Sequence, residues 1–304
     1  MRWTSIILSI FPFCFSWSNP IGHHVVHGDA HVTNLENTCH IHATDQTIIH
    51  WEDFSIGASE LTHFIQPSEN SVILNRVIGD LPSEILGTLH ANGKLFLLNH
   101  NGILFGENAI VNVGELIAST LALSDEDFLK GQTLHFHGPS QAAITNHGTI
   151  RAATGNVTLL SRQIINPGTL QASEGNVELI AATDIFLQPQ DKKRILIRVA
   201  SDDKKELGIY HQGKIAAIET YLQADGNLYE LAIKDEGEID ALVIKEQGGC
   251  VYLAAENGSL SLAGKIKAPR GEITALAQNV FVLDNADLSV SDLHKPGQIH
   301  LGKG

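Results

Sequence analysis

The chain has 304 residues, of which 43% are hydrophobic, and this is enough apolar material for one large domain or two small ones. It carries 20 Lys and Arg against 34 Asp and Glu, a formal net charge of −14, and its basic residues form no stripe that could neutralise a run of phosphates, so the composition argues against nucleic-acid binding. Charged residues contribute 18% and aromatic residues 6%, and 27 glycines are present, which favours many short strands and turns over long helices.

The first 18 residues predict a Sec-type secretory signal peptide. Met1 and Arg2 form a short positive start, residues 6–15 form an apolar stretch, and residues 16–18 (SWS) form a small-x-small cleavage site. An N-terminal transmembrane anchor is the alternative, but a spanning helix needs about 20 apolar residues and this stretch supplies about half of them. We therefore expect the mature chain to be exported.

Histidine is frequent near the start of the mature chain, which raises the question of a metal site. The early histidines are His23, His24, His27, His31, His40, His42 and His50. His40 and His42 are two positions apart, so a strand would direct both rings to one face, at a spacing that a metal ion uses. No cysteine or carboxylate set at ligand spacing accompanies them, so we expect neither a metal ion nor another cofactor.

Residues 19–145 contain short apolar stretches separated by turn residues, without a visible internal period. The stretches predicted as strands are residues 25–26, 48–49, 72–74, 95–98 and 103–105. Residues 116–123, followed by residues 124–127 (SDED), are the best place for a short helix-like excursion and turn.

A repeat of 20 residues follows. Residues 146–160 (NHGTIRAATGNVTLL) and residues 166–180 (NPGTLQASEGNVELI) are identical at eight of fifteen positions. Strand-like alternation at this period describes one coil of a solenoid, in which each turn buries its apolar face only by stacking on the next. Helical repeats need about 33 residues or more, so a β-coil is the better interpretation.

The same pattern of a turn residue followed by a short alternating strand runs to the C-terminus. Its copies begin at Gly237, Gly249, Gly264, Gly271, Asn285 and Gly297. Charged residues at 191–194 and 201–206 break the period, and a loop or hairpin excursion from the coil is the simplest explanation, with a domain linker as the alternative. We predict roughly 13 coils of about 20 residues each. Cys39 and Cys250, 211 positions apart, would then lie too far from each other for a disulfide.

Residues 48–131 carry a family resemblance. The ordered blocks are IIHWEDFSIG, FIQPSENSVILNRVIG, ILGTLHANGKLFLLNHNGILFG and VNVGELIASTLALSDEDFLKG. They resemble the haemagglutination-activity or two-partner secretion domain at the N-terminus of the filamentous haemagglutinin family. The resemblance implies an all-β fold, a right-handed parallel β-helix with an N-terminal cap and a hairpin or loop excursion. The expected organisation is a signal peptide (1–18), a two-partner secretion domain with the cap (19–145), and β-helix repeats (146–304) with an irregular insertion near 188–235.

The resemblance also implies a route and a partner. Such a protein crosses the inner membrane by its signal peptide, is recognised in the periplasm by soluble domains of an outer-membrane barrel transporter, and emerges at the cell surface or is secreted. The chain lacks the tandem alternating segments of a membrane barrel of its own, so the transporter would be a separate protein. Adhesion to host or neighbouring cells is the implied final role, through a surface ligand that the sequence does not identify.

Residues 99–102 (NHNG) occupy the place of the family's Asn-Pro-Asn-Gly motif, with His100 where proline is usual. The resemblance makes Asn99, Asn101 and Gly102 the first candidates for transporter recognition, and Asn75 and Arg76 weaker ones. A purely structural corner of the coil is the alternative, because an Asn-Gly pair supplies a tight turn without proline.

Two other functions share parts of this description. Parallel β-helices also include carbohydrate-active enzymes, which need carboxylates clustered on one face, and the densest acidic group is Asp225, Asp235, Glu236, Glu238 and Asp240. We interpret this group as a solvated loop face, and residues 125–127 as a structural turn, so we expect no enzyme. The N-terminal stub of a contact-dependent inhibition toxin is the second alternative, although the chain ends in repeat sequence. That ending predicts either a truncated or split member or a last coil covered by another chain.

Overall fold

The computed structural model describes residues 19–188, 195–197, 208–225, 231–242, 248–291 and 296–303. Within these residues the chain forms 31 strands and one helix, numbered below along the chain. The predicted signal peptide at 1–18 and the charged residues at 191–194 and 201–206 lie outside the described residues. No helix among those described is long and apolar enough to cross a membrane.

Most strands stack in parallel, in register, as three columns that we call face 1, face 2 and face 3. Face 1 consists of β4 (Thr47–Trp51), β6 (Val72–Val77), β9 (Lys94–Leu98), β12 (Glu115–Ser119), β16 (Val157–Ser161), β19 (Val177–Ala181), β24 (Glu219–Asp225), β27 (Cys250–Leu262), β29 (Glu272–Val282) and β31 (Gln298–Gly302). Face 2 consists of β7 (Ser83–Ile85), β10 (Ile103–Phe105), β14 (Ala143–Asn146), β17 (Gln163–Asn166), β22 (Ile209–His211), β25 (Leu231–Asp235) and the second halves of β27 and β29.

Face 3 carries ten parallel strands, one for each turn of the coil. They are β3 (Thr38–Ala43), β5 (Leu61–Ile65), β8 (Thr88–Ala91), β11 (Ile110–Val113), β15 (Thr149–Ala152), β18 (Thr169–Ala172), β23 (Lys214–Ala217), β26 (Glu238–Ala241), β28 (Lys265–Lys267) and β30 (Asp287–Ser289). The first turn is covered by two antiparallel strands, β1 (His24–His27) on β4 and β2 (Ala30–Leu35) on β3.

This architecture confirms the predicted parallel β-helix and the 20-residue repeat. Val157 pairs with Val177 and Leu159 with Leu179, so one period of sequence is one turn of the coil. These four side chains point inward and are fully buried, which stabilises the stack by about 1.5–3 kcal/mol for each side chain. The described residues form ten turns, however, and the expectation of roughly 13 was too high, because part of the chain leaves the columns in two excursions.

Both excursions leave at the end of a face 1 strand. The first follows β12 and contains helix α1 (Asp125–Lys130) and strand β13 (Leu134–His137). The second follows β19 and contains β20 (Asp184–Leu187) and β21 (Ile195–Ile197). Strand β20 pairs antiparallel with both β13 and β21, so the two excursions meet in one small sheet. The hairpin predicted near the charged residues is therefore present. Further along, β22 to β25 are regular coil strands, within the range that the sequence suggested to be irregular.

The helix lies later in the chain than the sequence suggested. Residues 116–119 belong to strand β12, and α1 begins after Ser124, whose hydroxyl accepts a hydrogen bond of 3.1 Å from the backbone N–H of Asp127. Three acidic residues fill the first helical turn, where the helix dipole favours negative charge. The segment expected to be a structural turn is thus the start of a capped helix that ends at Gly131.

The excursions cover the outer side of face 1 in the first six turns. A second apolar cluster forms there, between the coil and the excursions. Its coil members are Ile48, Leu74, Phe96, Leu98, Ile117, Leu160 and Ile180, and its excursion members include Leu121, Leu123, Phe128, Leu134, Phe136, Ile185 and Leu187. Face 1 is therefore buried on both sides in this half of the molecule.

The coil corners require glycine at close approach. A Cβ on Gly213 would lie 1.9 Å from the carbonyl oxygen of Gly168, one turn away, and a Cβ on Gly264 would lie 2.2 Å from that of Gly237. Any side chain at these positions would push the turns apart.

At the C-terminal end of the coil, several apolar side chains of the last turns are exposed to solvent. Those between 40% and 52% exposed are Phe281, Val282, Leu283, Ile299 and Leu301.

Candidate functional site

Residues 99–102 form a tight corner between strands β9 and β10. The backbone N–H of Asn101 donates to Asn99 Oδ1 at 2.9 Å, and the N–H of Gly102 donates to the carbonyl of Asn99 at 3.2 Å. Gly102 has a φ of 120°, in the region that favours glycine. The turn that the sequence predicted without proline is thus formed, and His100 stands exposed at its tip.

The two asparagine side chains of this corner bind the neighbouring turn. Asn99 is 1% exposed, and its Nδ2 donates to the Leu81 carbonyl and to Ser83 Oγ, both at 3.0 Å. Asn101 Nδ2 donates to the carbonyl of Gly79 at 2.8 Å. Both amides therefore fix the backbone of residues 78–82, the connection between β6 and β7.

That connection presents two apolar side chains to solvent. Ile78 is 54% exposed and Leu81 is 61% exposed, in a protein whose apolar side chains are otherwise mostly buried. With His100, they form what we call the corner patch: Ile78, Leu81 and His100. Sequence reasoning missed Ile78 and Leu81, although an apolar residue on each side of Gly79-Asp80, just past a strand, is a signal that could have indicated them.

Asn75 and Arg76 lie on β6 and point to opposite sides of face 1. Asn75 is fully buried inside the coil, where its Oδ1 accepts a hydrogen bond of 2.9 Å from Trp51 Nε1 and its Nδ2 donates to the Phe96 carbonyl at 3.3 Å. Arg76 points outward and donates to the Leu123 carbonyl at 2.8 Å, and it forms an ion pair with Asp125 in the first turn of α1. Asn75 thus supports the core, and Arg76 holds the first excursion in place.

His50 lies beside Arg76 on the outer side of face 1, in register on β4. The pKa of His50 is lowered, first by burial and then by the positive charge of Arg76, with a smaller opposing effect from Asp125. Burial and the Arg76 charge therefore disfavour the protonated form of the histidine next to the Arg76–Asp125 pair.

The structure brings all five sequence-predicted candidates to one edge of two adjacent turns. Arg76 pairs with Leu98, one residue before Asn99, so the Asn75–Arg76 pair and the corner are neighbours. Three of the five, namely Asn75, Asn99 and Gly102, are buried, whereas Asn101 and Arg76 are partly exposed. The buried candidates can shape the surface but cannot themselves contact a large partner.

The acidic group considered for catalysis does not converge on one point. Asp235 is fully buried inside the coil, whereas Glu236 is on the surface, paired with Lys234 at 2.7 Å. Glu238 and Asp240 both face Lys267, at 3.3 Å and 3.8 Å. The side chain of Asp225 is outside the described part of the structure. Among the residues that are described, no group of three or more His, Cys, Asp or Glu side chains is arranged to hold a metal ion.

A line of buried polar side chains runs through the coil behind face 2. Asn146 Nδ2 donates to Asn166 Oδ1 at 2.8 Å, and Asn166 Nδ2 lies 3.0 Å from Nδ1 of His211, which pairs in register with Asp235. Burial lowers the pKa of His211 to about 4 and raises the pKa of Asp235 to about 7. We call Asn146, Asn166, His211 and Asp235 the polar ladder. The sequence did not indicate it.

Ten in-register turns, a capped first turn and two excursions packed on one face define a parallel β-solenoid protein. The sequence model of the TPS secretion domain family matches residues 18–268 of this chain. The chain therefore belongs to the TPS secretion domain family, the secretion domains of exoproteins exported by two-partner secretion, and it comes from an exported protein. This confirms the family resemblance seen in the sequence.

Two curated relatives and one solved structure are similar. A protein described as "Heme/hemopexin-binding protein" from Haemophilus influenzae (strain Rd) is 43% identical over 102 residues, which are 33% of this chain and 11% of that protein. A second Haemophilus influenzae protein of the same description is 44% identical over 77 residues, 25% of this chain and 8% of that protein. The matched segments thus span about a tenth of the curated relatives. The crystal structure of the HMW1 secretion domain from Haemophilus influenzae superposes with a TM-score of 0.79 at 27% identity, covering 90% of this chain and 74% of that one.

Proposed function

We propose that this chain directs its own export across the outer membrane through a separate barrel transporter that has periplasmic recognition domains. In this proposal residues 1–18 are the signal peptide, residues 19–145 carry the export information, and residues 146–304 continue the β-helix. The observation that carries the proposal is the family match over residues 18–268 together with a fold shared with a known secretion domain.

The recognition surface that we propose is the corner patch. Asn99 and Asn101 are positioning residues, because their amides are engaged by the carbonyls of Leu81 and Gly79 and so fix the shape of the connection. Ile78 and Leu81 are the contact residues, because they are large, apolar and more than half exposed at that fixed connection. Arg76 contributes by holding α1 beside the same edge.

The cysteines are compatible with passage through a barrel. Cys39 lies on β3 in the first turn and Cys250 begins β27 in the eighth, and both are free thiols. A chain without cross-links can pass through a barrel unfolded, and a coil can fold turn by turn as it emerges. Burial raises the pKa of both thiols to about 11, so neither is a reactive thiolate at neutral pH.

The test of recognition is export of the chain in a Gram-negative host with and without its transporter, measured by surface protease accessibility. We expect transporter-dependent exposure of the wild-type chain, and a loss on the order of tenfold in Leu81→Ser or Asn101→Ala. Ile110→Ser is the matched control, because Ile110 is also an exposed isoleucine, 42% accessible, but lies on face 3. Periplasmic retention of the wild type would contradict export, and equal loss in Ile110→Ser would contradict the corner patch.

After export we propose that the protein acts at the cell surface as an adhesin or part of one, binding through its exposed strands, and without catalysis. The relatives' description favours a second candidate, capture of a heme-carrying protein. These roles separate in a binding assay that compares whole host cells with purified hemopexin as the ligand. Binding to cells alone supports adhesion, whereas saturable binding to hemopexin supports the second role.

A further inference from the structure

The N-terminal hairpin places a second set of histidines on one surface. Strand β2 runs antiparallel to β3, and the register sets His31 directly opposite His42. His40 is two residues before His42 on the same side, and His63 and His90 follow His40 in register on β5 and β8. We call these five outward side chains the histidine face: His31, His40, His42, His63 and His90.

The spacing on this face suits imidazole ligands of one ion. Directly opposed residues of an antiparallel pair have Cβ atoms about 4.5–5.5 Å apart. Two imidazoles that bind the same ion through nitrogen–metal bonds of about 2.0–2.1 Å have ring centres about 5 Å apart. His31 and His42 are both exposed, and within the described residues no hydrogen bond, ion pair or ring contact engages either ring, so both are free to turn.

A cleft lies beside these two residues. His31, His42 and Asp29 line an open depression of about 460 Å³ at the edge of the hairpin. Asp29 is two residues before His31; its backbone N–H donates to Thr44 Oγ1 at 3.0 Å, and its carbonyl accepts from the backbone N–H of Thr44 at 2.9 Å. The opening is therefore lined by two histidines and an aspartate, which the linear sequence did not bring together.

The charge of the surrounding chain favours a cation. Residues 19–75 contain no Lys or Arg, seven Asp or Glu and eight His. A region with acidic residues and no competing side-chain ammonium or guanidinium groups has a negative potential that attracts divalent ions. Arg76, on strand β6, is the first Lys or Arg of the described chain.

The histidine face also contains a buried imidazole nitrogen. Nδ1 of His40 is buried and has no hydrogen-bond partner in the described part of the chain. An imidazole nitrogen that no other group occupies is the atom through which histidine binds a metal ion.

We propose that the cleft at His31 and His42 binds a divalent transition-metal ion, with these two imidazoles as the protein ligands and water completing the coordination. Since no three ligand side chains among the described residues already surround a common point, binding requires the two exposed rings to turn toward the ion. Imidazole pairs suit Cu²⁺, Ni²⁺ and Zn²⁺, and Cu²⁺ binds most tightly of the three. The proposal does not depend on the transporter or on the recognition surface.

The test titrates the full chain, purified without a histidine tag, with Cu²⁺, Ni²⁺ or Zn²⁺ alone by calorimetry. We expect one saturable ion for each chain and tighter binding of Cu²⁺ than of the other two. Electron paramagnetic resonance of the Cu²⁺ complex gives an independent readout, and we expect hyperfine coupling from two imidazole nitrogens. Absence of saturable binding, or a spectrum with oxygen ligands alone, overturns the proposal.

Variants locate the site. His31→Gln and His42→Gln each weaken Cu²⁺ binding on the order of tenfold or more, while their circular dichroism and thermal midpoint without metal stay those of the wild type. His147→Gln is the matched control, because His147 is exposed but lies on another part of the coil, and it keeps wild-type affinity. Retained binding in the double variant, or equal weakening in the control, overturns the assignment.

Discussion

The first six turns and the last four turns of the coil differ on the outer side of face 1. In the early turns this side carries Ile48, Leu74, Phe96 and Ile117 in register, and the excursions pack on it. In the late turns the same column carries Tyr221, Tyr252 and Thr274, outside the second apolar cluster. The inner column remains apolar throughout. Stacking of the turns therefore needs only the inner residues, whereas the outer residues decide where a second layer docks.

The largest effect should come from removing an aromatic side chain of the second layer. Phe136→Ala leaves a cavity between β13 and the coil, since Phe136 is fully buried, and we expect a loss of about 3–5 kcal/mol in the free energy of unfolding. Phe281→Ala in the late turns is the matched control, because Phe281 is 52% exposed and should cost far less. Chemical denaturation measures both. Similar losses of stability in the two variants would contradict the proposed difference between the early and the late turns.

The buried carboxyl of the late turns should make stability depend on pH. Burial raises the pKa of Asp235 from 3.8 to about 7, so the folded state favours the protonated acid and stability falls as the pH rises from about 4 through about 7. The full penalty is on the order of 4 kcal/mol. Asp235→Asn should remove it, so that the variant exceeds the wild type in stability at pH 8 but not at pH 4. Denaturation at a series of pH values tests this, and parallel curves for the two proteins would refute it.

His211, in the same polar ladder as Asp235, changes the free energy of unfolding with pH in the opposite direction. Its pKa is lowered from 6.5 to about 4, so the stability that its neutral ring supports is complete above about 6.5 and is lost as the pH falls through about 4. The Asp235→Asn variant isolates this slope, because the opposing titration is then absent. A variant whose stability is flat between pH 4 and 6.5 would show that His211 is not buried in its neutral form.

An intermediate loss of stability should follow from breaking the buried hydrogen bond between Trp51 and Asn75 in the early turns. Asn75→Ala leaves Trp51 Nε1 without its acceptor inside the coil, and we expect a loss of about 1–3 kcal/mol. Asn112→Ala is the control, because Asn112 is only partly buried and its Nδ2 faces His90 Nε2 on the outer side of face 3. Thermal unfolding and tryptophan fluorescence report the change. A smaller loss in Asn75→Ala than in the control would contradict the structural role.

The smallest effect should come from the ion pair that attaches the first excursion. Arg76 and Asp125 are 22% and 39% exposed, so solvent screens them, and Arg76→Ala should cost only about 1 kcal/mol overall. It should nevertheless speed hydrogen exchange in α1 more than in the coil. Lys130→Ala, which breaks the exposed pair with Glu126 on the same helix, is the control and should leave exchange unchanged. Equal exchange rates in both variants would show that Arg76 does not hold the helix.

Sequence reasoning found the coil because its signal is local and repeated. The repeats at residues 146–160 and 166–180 already contain the inward Val and Leu and the corner Gly that define a turn. It overestimated the number of turns because excursion residues resemble coil residues in composition. It found the corner at Asn99–Gly102, but not that the amides of Asn99 and Asn101 hold the connection that presents Ile78 and Leu81. Those hydrogen bonds join residues about one turn apart in sequence and follow from the stacking register.

The sequence by itself determined the β-coil and its period, because a 20-residue repeat of alternating apolar residues has no other way to bury its inner face. It indicated the family separately, through the ordered blocks of residues 48–131. Only the tertiary structure decided which polar residues are buried, where the excursions dock, and that His31 stands opposite His42. These depend on which turn stacks on which and on a strand that folds back antiparallel. The alternation of side chains in a strand gives the face of each residue, but only the register gives its neighbour.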